Sequence, residues 1–315
     1  MSLFLGIDTS NYTTSAAVYD TETGRVVHAK KLLPVKQGER GIRQSDAVFY
    51  HTRQFPEIYE ELCGQLPKDW KPDAVGVSTQ PRRVEGSYMP CFLVGETIAS
   101  SIAGTMHVPL YKFSHQEGHI MAALYSAERM DLIGQEFLAF HVSGGTTESL
   151  LVTKGTEAAI KAELLGSSTD LKAGQAIDRT GVMMGLPFPC GPALEKLALK
   201  SDKTFKLHAS SRGFDCSLSG VENQTRAMIE RGESPEDTAL FCLKYVEISL
   251  QAMADALLDK YPEKHIVFSG GVMSNGIIKE DFKRRYDCSF AEPQFSADNA
   301  AGTAVLAALQ HERKA

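Results

Sequence analysis

Hydrophobic and polar residues alternate in blocks that predict a strand–turn–strand unit at the start of the chain. Residues 3–8 and 15–20 are mostly apolar, a polar turn separates them, and a third apolar run follows at 25–29. Short apolar runs separated by turn residues are typical of strands in a meander. A similar unit returns at 137–152, where two apolar runs flank a Ser-Gly-Gly turn. This repetition predicts two lobes of similar architecture.

Longer stretches with a helical repeat of apolar positions lie between these units. We expect helices over about 46–62 and 90–106, and further helices through 218–260. Strands are expected at 74–78 and 110–113, because short continuous apolar runs are typical of buried strands. The alternation of strands with helices predicts an α/β fold.

Three segments place glycine where backbone amides can approach an anionic group. The first is the turn at 143–145, and the second begins a helix within 170–179. In the third, a strand at 266–268 runs into Gly270-Gly271 and opens onto a helix over about 275–285. Glycine lets the backbone come close to a ligand, and a helix amino terminus attracts negative charge. The pattern therefore predicts a nucleotide site.

Two histidines begin the helix that is expected after the strand at 110–113. His115 and His119 are four residues apart, so they lie on one face of a helix and can bind one metal ion together. The spacing suits zinc or iron. An isolated pair at this spacing is also typical of two unrelated core or surface histidines, so the interpretation depends on the remaining motifs.

The bulk composition limits the class of protein. The 315 residues are 43% hydrophobic and 23% charged, as expected for two domains or one large two-lobed domain. Six scattered cysteines, with no leader and no long apolar run, predict a soluble cytoplasmic protein without a membrane segment. A formal net charge of −6 argues against binding nucleic acid by charge alone. Arg82-Arg83 and the basic residues of 279–285 are local candidates, and a solvated surface is the alternative interpretation of each.

In combination, these motifs resemble those of the TsaD family of threonylcarbamoyladenosine synthase subunits, once labelled M22 peptidases, over nearly the whole chain. The family's His-x-Glu-Gly-His motif is matched from His115 to His119, and its distant aspartate ligand by Asp298. Asp298 alone would equally suit a helix cap. The family's second phosphate turn and its ribose- and base-contacting residues are matched by Val142, Ser143, Gly144, Gly145, Asp178, Gly191 and Asn275.

The resemblance implies an actin-like ATPase (ASKHA) fold, with two duplicated RNase H-like lobes and with nucleotide and metal in the cleft. We expect residues 1–112 to form the first lobe, to which 298–315 return, and residues 113–297 to form the second. The implied ligands are one divalent metal, iron or zinc, held by His115, His119 and Asp298, and an adenine nucleotide or threonylcarbamoyl-adenylate.

The implied reaction is transfer of a threonylcarbamoyl group from threonylcarbamoyl-adenylate to the adenosine next to the anticodon of a tRNA. The implied partners are tRNA, contacted through a complex, and TsaB-like and TsaE-like proteins. A metalloprotease is not expected, because Glu117 is two residues after His115, about 200° around the helix, rather than directly after it.

The chain also departs from the family pattern. The first phosphate turn, Thr9-Ser10-Asn11-Tyr12-Thr13, has no carboxylate where the family usually has an acidic pair. Thr146, Gln175 and Pro81-Arg82-Arg83 replace a histidine, a glutamate and a Gly-Pro-Gly loop. These departures leave two alternatives open. The first is a non-catalytic or regulatory nucleotide-binding paralogue, and the second is an actin-fold carbamoyltransferase or kinase that acts on a small molecule.

Overall fold

The computed structural model describes residues 2–10, 12–34, 42–156, 158–296 and 298–314. The chain forms two compact units, and each is described by itself. The first unit comprises Met1–Gly134, Lys154–Lys161 and Ala297–Ala315, and the second comprises Gln135–Thr153 and Ala162–Ser296.

Strands and helices alternate along the described ranges. In chain order the strands are β1 (Leu3–Asp8), β2 (Thr13–Asp20), β3 (Arg25–Leu32), β4 (Ala74–Gln80), β5 (Leu110–Ser114), β6 (Phe137–Val142), β7 (Thr147–Lys154), β8 (Ile160–Ser167), β9 (Ser211–Arg212), β10 (Asp215–Cys216), β11 (Ile266–Ser269) and β12 (Cys288–Phe290). The α-helices are α1 (Gln44–Gly64), α2 (Phe92–Met106), α3 (His115–Ser126), α4 (Ala173–Met183), α5 (Gly191–Ala198), α6 (Ser219–Glu230), α7 (Pro235–Lys260), α8 (Gly276–Arg285), α9 (Pro293–Ser296) and α10 (Ala301–Glu312). The helices expected from the apolar repeats are thereby confirmed, with ends shifted by a few residues.

The sheet of the first unit has the strand order β3-β2-β1-β4-β5. Strands β1, β4 and β5 are parallel, so their carboxyl ends, including Asp8 and Ser114, lie at one edge of the sheet. Leu5, Ile7 and Val75 are fully buried in a core shared with α1 and α2. Helices α3 and α10 also belong to this unit and pack against one another.

The sheet of the second unit has the order β12-β11-β6-β7-β8. Strands β6, β11 and β12 are parallel, and β7 is antiparallel to β6. The apolar face packs on α4 to α8, and the long helix α7 contributes much of this core because residues such as Leu243, Val246 and Leu250 are fully buried. Burial of so many large side chains stabilises the unit mainly through the hydrophobic effect.

The two sheets confirm the predicted duplication. In each, three consecutive strands lie side by side, and two further strands add on the side of the first strand. The boundary between the units differs from the expected one, because residues 113–134 belong to the first unit rather than to the second. The physical reason is continuity of the chain, since β5 ends at Ser114 and α3 begins at the next residue and packs on β4, β5 and α10.

In the described ranges, no helix combines the length and the apolar character that a membrane span requires.

Candidate functional site

The start of α3 presents the two predicted histidines side by side. The Ser114 hydroxyl accepts a hydrogen bond from the Glu117 amide at 3.3 Å, and the Glu117 carboxylate accepts one from the Ser114 amide at 2.6 Å. This reciprocal pair is a capping box, which fixes the first turn of the helix. His115 and His119 follow at i and i+4, and their ring centroids are 4.2 Å apart.

Asp298 lies against both histidines. Its Oδ1 is 3.0 Å from Nε2 of His119 and 3.4 Å from Nε2 of His115. One ligand atom from each of the three residues lies within 4.8 Å of the others. Two imidazole nitrogens and one carboxylate oxygen form a donor set that suits zinc or iron and leaves coordination positions for a substrate. The first unit therefore brings together the three predicted metal ligands.

Close packing of α3 on α10 places Asp298 at this point. A Cβ on Gly302 would overlap the backbone of Gly118, so glycine permits the close approach of the two helices. Asp298 does not cap α10, which lacks a side-chain cap on its N-cap residue; instead Asn299 Oδ1 accepts from the amide of Ala301 at 3.0 Å. The described contacts of Asp298 are thus with the two histidines rather than with the start of α10.

Behind His115 lies a second carboxylate. Asp8 Oδ2 is 3.1 Å from His115 Nδ1, and the Ser10 hydroxyl donates to the same Oδ2 at 2.8 Å. Burial by itself would lower the pKa of His115, but the charge of Asp8 and the hydrogen bonds to Asp298 and Asp8 raise it to about 10. Burial likewise opposes the shift at Asp298, where hydrogen bonds from His115 and His119 hold the pKa well below its usual range. Two carboxylates therefore stabilise a positive charge at His115, whether a proton or a metal ion carries it.

The carboxylate of Glu117, which lies between the two histidines in the sequence, contacts Arg83 and Ser114. Its carboxylate accepts hydrogen bonds from Arg83 Nε and Nη2, both at 3.1 Å, in addition to those from Ser114. A carboxylate that is committed to an arginine and a helix cap is not placed to act as the general base of a zinc protease. The exclusion of a metalloprotease stays a prediction from the sequence.

The first phosphate turn is held mainly by side-chain contacts. The Thr9 hydroxyl donates to the carbonyl of Cys91 and accepts from the amide of Gly95, each at 3.0 Å, so it ties the turn to the start of α2. Ser10 contacts Asp8 and His115, as described above. Thr13 is buried at the start of β2, whereas Tyr12 is 41% exposed. Asn11 lies outside the described residues.

In the second unit, the turn after β6 packs on the start of α4. Ser143 donates its amide to the carbonyl of Thr146 at 2.7 Å, and the Ser143 carbonyl accepts from the amide of Gly174 at 3.1 Å. A Cβ on Gly174 would lie 2.6 Å from the Gly144 nitrogen, so only glycine permits this approach. Val142 is buried, while Gly144 and Gly145 are exposed. The turn is open to a ligand at the amino terminus of a helix.

The other predicted nucleotide residues also belong to the second unit. Asp178 on α4 accepts from the amide of Cys190 at 2.8 Å, next to Gly191 at the start of α5, and burial raises the pKa of Asp178. Asn275 caps α8, because its Oδ1 accepts from the amide of Ile278 at 3.2 Å. Glu195 connects α5 with α8 by accepting from the amide of Gly276 at 2.7 Å. The starts of α5 and α8 are thereby brought together.

Five of the basic residues suggested as nucleic-acid contacts are paired with a carboxylate or an aromatic ring. Arg83 binds Glu117. On α8, the pairs are Lys283 with Glu280, Arg284 with Asp281 and Arg285 with Asp255, and Lys279 lies over the ring of Phe290. These contacts favour a solvated helix face for α8.

The two sheets have matching strand order, the first unit holds a partly buried His-His-Asp cluster, and the second holds glycine turns at helix starts. This combination defines a protein of the actin-like ATPase class. The chain belongs to the TsaD family, whose profile, described as tRNA N6-adenosine threonylcarbamoyltransferase, matches residues 25–305. A relative of that name from Methanopyrus kandleri is 27% identical over 300 residues, which cover 93% of this chain and 83% of that protein.

Solved structures show the fold independently of close sequence similarity. Component A of (R)-2-hydroxyglutaryl-CoA dehydratase from Acidaminococcus fermentans matches all of both chains with a TM-score of 0.58 and 16% identity. HypF from T. kodakarensis matches 99% of this chain and 48% of its own with a TM-score of 0.63 and 13% identity. At these identities the likeness concerns the fold alone.

The sequence analysis identified His115, His119 and Asp298 as candidate metal ligands but gave no role to Asp8. The available indication was its position, because it is the last residue of a buried strand and directly precedes the Thr-Ser turn. Its distance from His115 along the chain, 107 residues, explains why the contact was missed.

Proposed function

We propose that this chain transfers a threonylcarbamoyl group from threonylcarbamoyl-adenylate to the adenosine next to the anticodon of a tRNA. Family membership supports the reaction class. The observation that carries the proposal is the convergence of His115, His119 and Asp298, whose donor atoms lie within 4.8 Å of one another and suit a single divalent ion.

The proposed metal is one divalent ion, iron or zinc, held by His115, His119 and Asp298. The residues fit such an ion, because three donor atoms of suitable type lie within 4.8 Å of one another, with the carboxylate of Asp8 beside His115. When bound, the ion supplies Lewis acidity toward a carbamoyl or phosphate oxygen. The side chains hold their own geometry through the capping box at Ser114 and the packing of α3 on α10.

The second unit is proposed to hold the adenylate, or an adenine nucleotide. The amides of Ser143–Gly145 and the amino terminus of α4 would bind the phosphate. Asp178 already accepts from the Cys190 amide with one oxygen and would accept from a ribose hydroxyl with the other. Asn275, whose Oδ1 caps α8, would offer its side-chain nitrogen to the base.

The proposed partners are tRNA, bound through a complex, and TsaB-like and TsaE-like proteins in the cytoplasm. The pairing of the basic residues of α8 with carboxylates supports a shared rather than a solitary tRNA surface, because an unassisted one would need unneutralised positive charge.

The decisive experiment incubates the metal-loaded protein with threonylcarbamoyl-adenylate, tRNA and the companion proteins of its host, followed by mass spectrometry of the tRNA nucleosides. We expect threonylcarbamoyl-modified adenosine from the wild-type protein and none from His115→Ala. The matched control is His208→Ala, which removes an exposed histidine of the second unit and should leave the yield unchanged.

Absence of modified adenosine, in a reaction where an authentic family member works alongside, would contradict the proposal. The lack of a carboxylate in residues 12 and 13 would then favour the regulatory paralogue, for which Tyr12→Asp should create activity. Turnover without tRNA would instead indicate a carbamoyltransferase or kinase for a small molecule.

A further inference from the structure

We propose that Asp8 is a positioning residue of the metal centre, which orients the imidazole of His115 so that Nε2 faces the metal. The inference rests on the proposed metal centre and goes beyond its three ligands. Asp8 is not one of these three ligands. The ligand atoms that lie within 4.8 Å of one another belong to His115, His119 and Asp298.

The position of Asp8 is rigid. It ends β1, the central strand of its sheet, which is paired with β2 on one side and with β4 on the other. The Asp8 side chain is 1% exposed, and its backbone carbonyl accepts from the Ser15 hydroxyl at 3.2 Å. A carboxylate held in this way can fix the orientation of a neighbouring ring rather than follow it.

The hydrogen bonds around His115 indicate that its Nδ1 carries a proton. The Ser10 hydroxyl donates to Asp8 Oδ2 at 2.8 Å, so the Ser10 oxygen is an acceptor toward His115 Nδ1, 2.9 Å away. Asp8 Oδ2 accepts from the same Nδ1 at 3.1 Å. Nδ1 thus carries a proton, and Nε2, on the side of Asp298, is the nitrogen at which a metal ion would take the place of a proton. Metal-binding histidines commonly donate their second N–H to a carboxylate in this way.

A second observation concerns the other carboxylate oxygen of Asp8. Its Oδ1 is buried and makes no hydrogen bond within the part of the chain that the structure describes. Buried carboxylate oxygens in a purely structural role are expected to be paired, because an unpaired one is destabilising. One oxygen of Asp8 is therefore committed to His115 and Ser10, while the other brings no gain in stability.

A negative charge near a cation also favours binding without any orienting contact, and the experiment must separate these two effects. We would measure zinc affinity by chelator competition for wild type, Asp8→Asn, His115→Ala and the double variant. Asp8→Asn should weaken zinc binding by about 10- to 100-fold, the usual effect of losing an outer carboxylate. In the His115→Ala background the same substitution should change affinity by less than about twofold, because the contact it removes is already gone.

Asp73→Asn is the matched control, since Asp73 accepts from the amide of Leu3 at the other end of β1, at 2.8 Å. It should leave zinc affinity unchanged. With cobalt in place of zinc, the visible absorption bands should change in Asp8→Asn and not in Asp73→Asn, because the bands report ligand geometry. If Asp8→Asn does not fold, as judged by thermal unfolding, Ser10→Ala tests the same cluster and should weaken binding roughly 2- to 10-fold.

Three results would overturn the proposal in distinguishable ways. Wild-type affinity in Asp8→Asn, with weakened binding in His115→Ala, would remove the role of Asp8 and leave the metal centre intact. An equal loss from Asp8→Asn in both backgrounds would indicate a charge effect without positioning. Zinc binding by the wild type that is weak, or unaffected by His115→Ala, would remove the metal centre itself and the role of Asp8 with it.

Discussion

The two candidate binding regions of this protein are formed by different kinds of chemical group. In the first unit, Asp8, His115 and Asp298 are charged or titratable side chains brought together from distant parts of the chain. In the second unit, the turn at Ser143–Gly145 is formed by backbone groups and by the absence of side chains. The first region therefore depends on the charges of its side chains. The second depends on the space that is left where glycine has no side chain.

This difference determines how each region should fail. A charged cluster tolerates little change in its donor atoms, because each buried charge balances another. A backbone turn tolerates many side chains that point outward but not a methyl group at a position of close approach. The predictions below test this contrast, from the largest expected effect to the smallest.

Removal of one metal-binding side chain should abolish the stabilisation of the folded protein by zinc. An ion that binds only the folded state, at a free concentration 100 times its Kd, raises the free energy of unfolding by about 2.7 kcal/mol. Zinc should therefore raise the Tm of the wild-type protein, a chelator should reverse the rise, and Asp298→Ala should show no rise. Thermal unfolding at several zinc concentrations measures this, with His208→Ala as the control that should behave like the wild type.

A methyl group at Gly174 should disturb the turn of the second unit. The new Cβ would lie 2.6 Å from the Gly144 nitrogen and 2.8 Å from the carbonyl carbon of Ser143. Gly174→Ala should lower the free energy of unfolding by about 1–3 kcal/mol, as overpacking usually does. Gly145→Ala, whose Cβ would meet no atom within 4 Å, is the matched control and should change it by less than about 0.5 kcal/mol.

Nucleotide titration of the same pair sharpens the comparison. Both variants should bind an adenine nucleotide more weakly, Gly174→Ala because the turn moves and Gly145→Ala because a methyl group faces the phosphate. Unchanged nucleotide affinity in folded Gly145→Ala would contradict a phosphate role for this turn.

Asp170 should stabilise the second unit in a pH-dependent way. Burial opposes the shift, but hydrogen bonds from the Ser217 hydroxyl and the Leu218 amide hold the pKa of Asp170 well below its usual range. Because the folded-state pKa is lowered, the stabilisation is fully present above the unfolded value of about 4 and is lost as the pH falls below it. Asp170→Asn should cost about 1 kcal/mol near neutral pH, as the loss of a helix cap does, and less at acid pH.

Denaturant unfolding of wild type and Asp170→Asn at several pH values measures this difference. Asp202→Asn, an exposed aspartate of the same unit, is the control and should show no such dependence. A difference that grows as the pH falls would show that the sign is wrong.

The smallest effect should come from a glycine without close neighbours. Gly104 lies in α2, and a Cβ there would meet no atom within 4 Å. Gly104→Ala should therefore stabilise the first unit by about 0.5–1 kcal/mol through helix propensity alone. A loss of stability in denaturant unfolding would contradict the distinction between open glycines and close-approach glycines such as Gly174.

The local features of this fold could be predicted from the sequence. Apolar runs indicate the two strand meanders, and the spacing of His115 and His119 indicates a shared helix face. Such features depend on residues that are near one another in the chain, so a pattern of period two or four records them directly.

Features that depend on tertiary contacts could not be predicted in this way. The capping of α8 by Asn275, the pairing of Arg83 with Glu117 and the contact of Asp8 with His115 all require the folded geometry. The unit boundary was misplaced for the same reason, because nothing in residues 113–134 records that α3 packs on a helix from the end of the chain.

The most direct test of the account is anomalous scattering from a crystal of the protein soaked with zinc, recorded on both sides of the zinc absorption edge. The account predicts one strong peak about 2.0–2.2 Å from Nε2 of His115, Nε2 of His119 and a carboxylate oxygen of Asp298. A peak elsewhere, or none at these three side chains, would contradict the claim that they form a single metal centre.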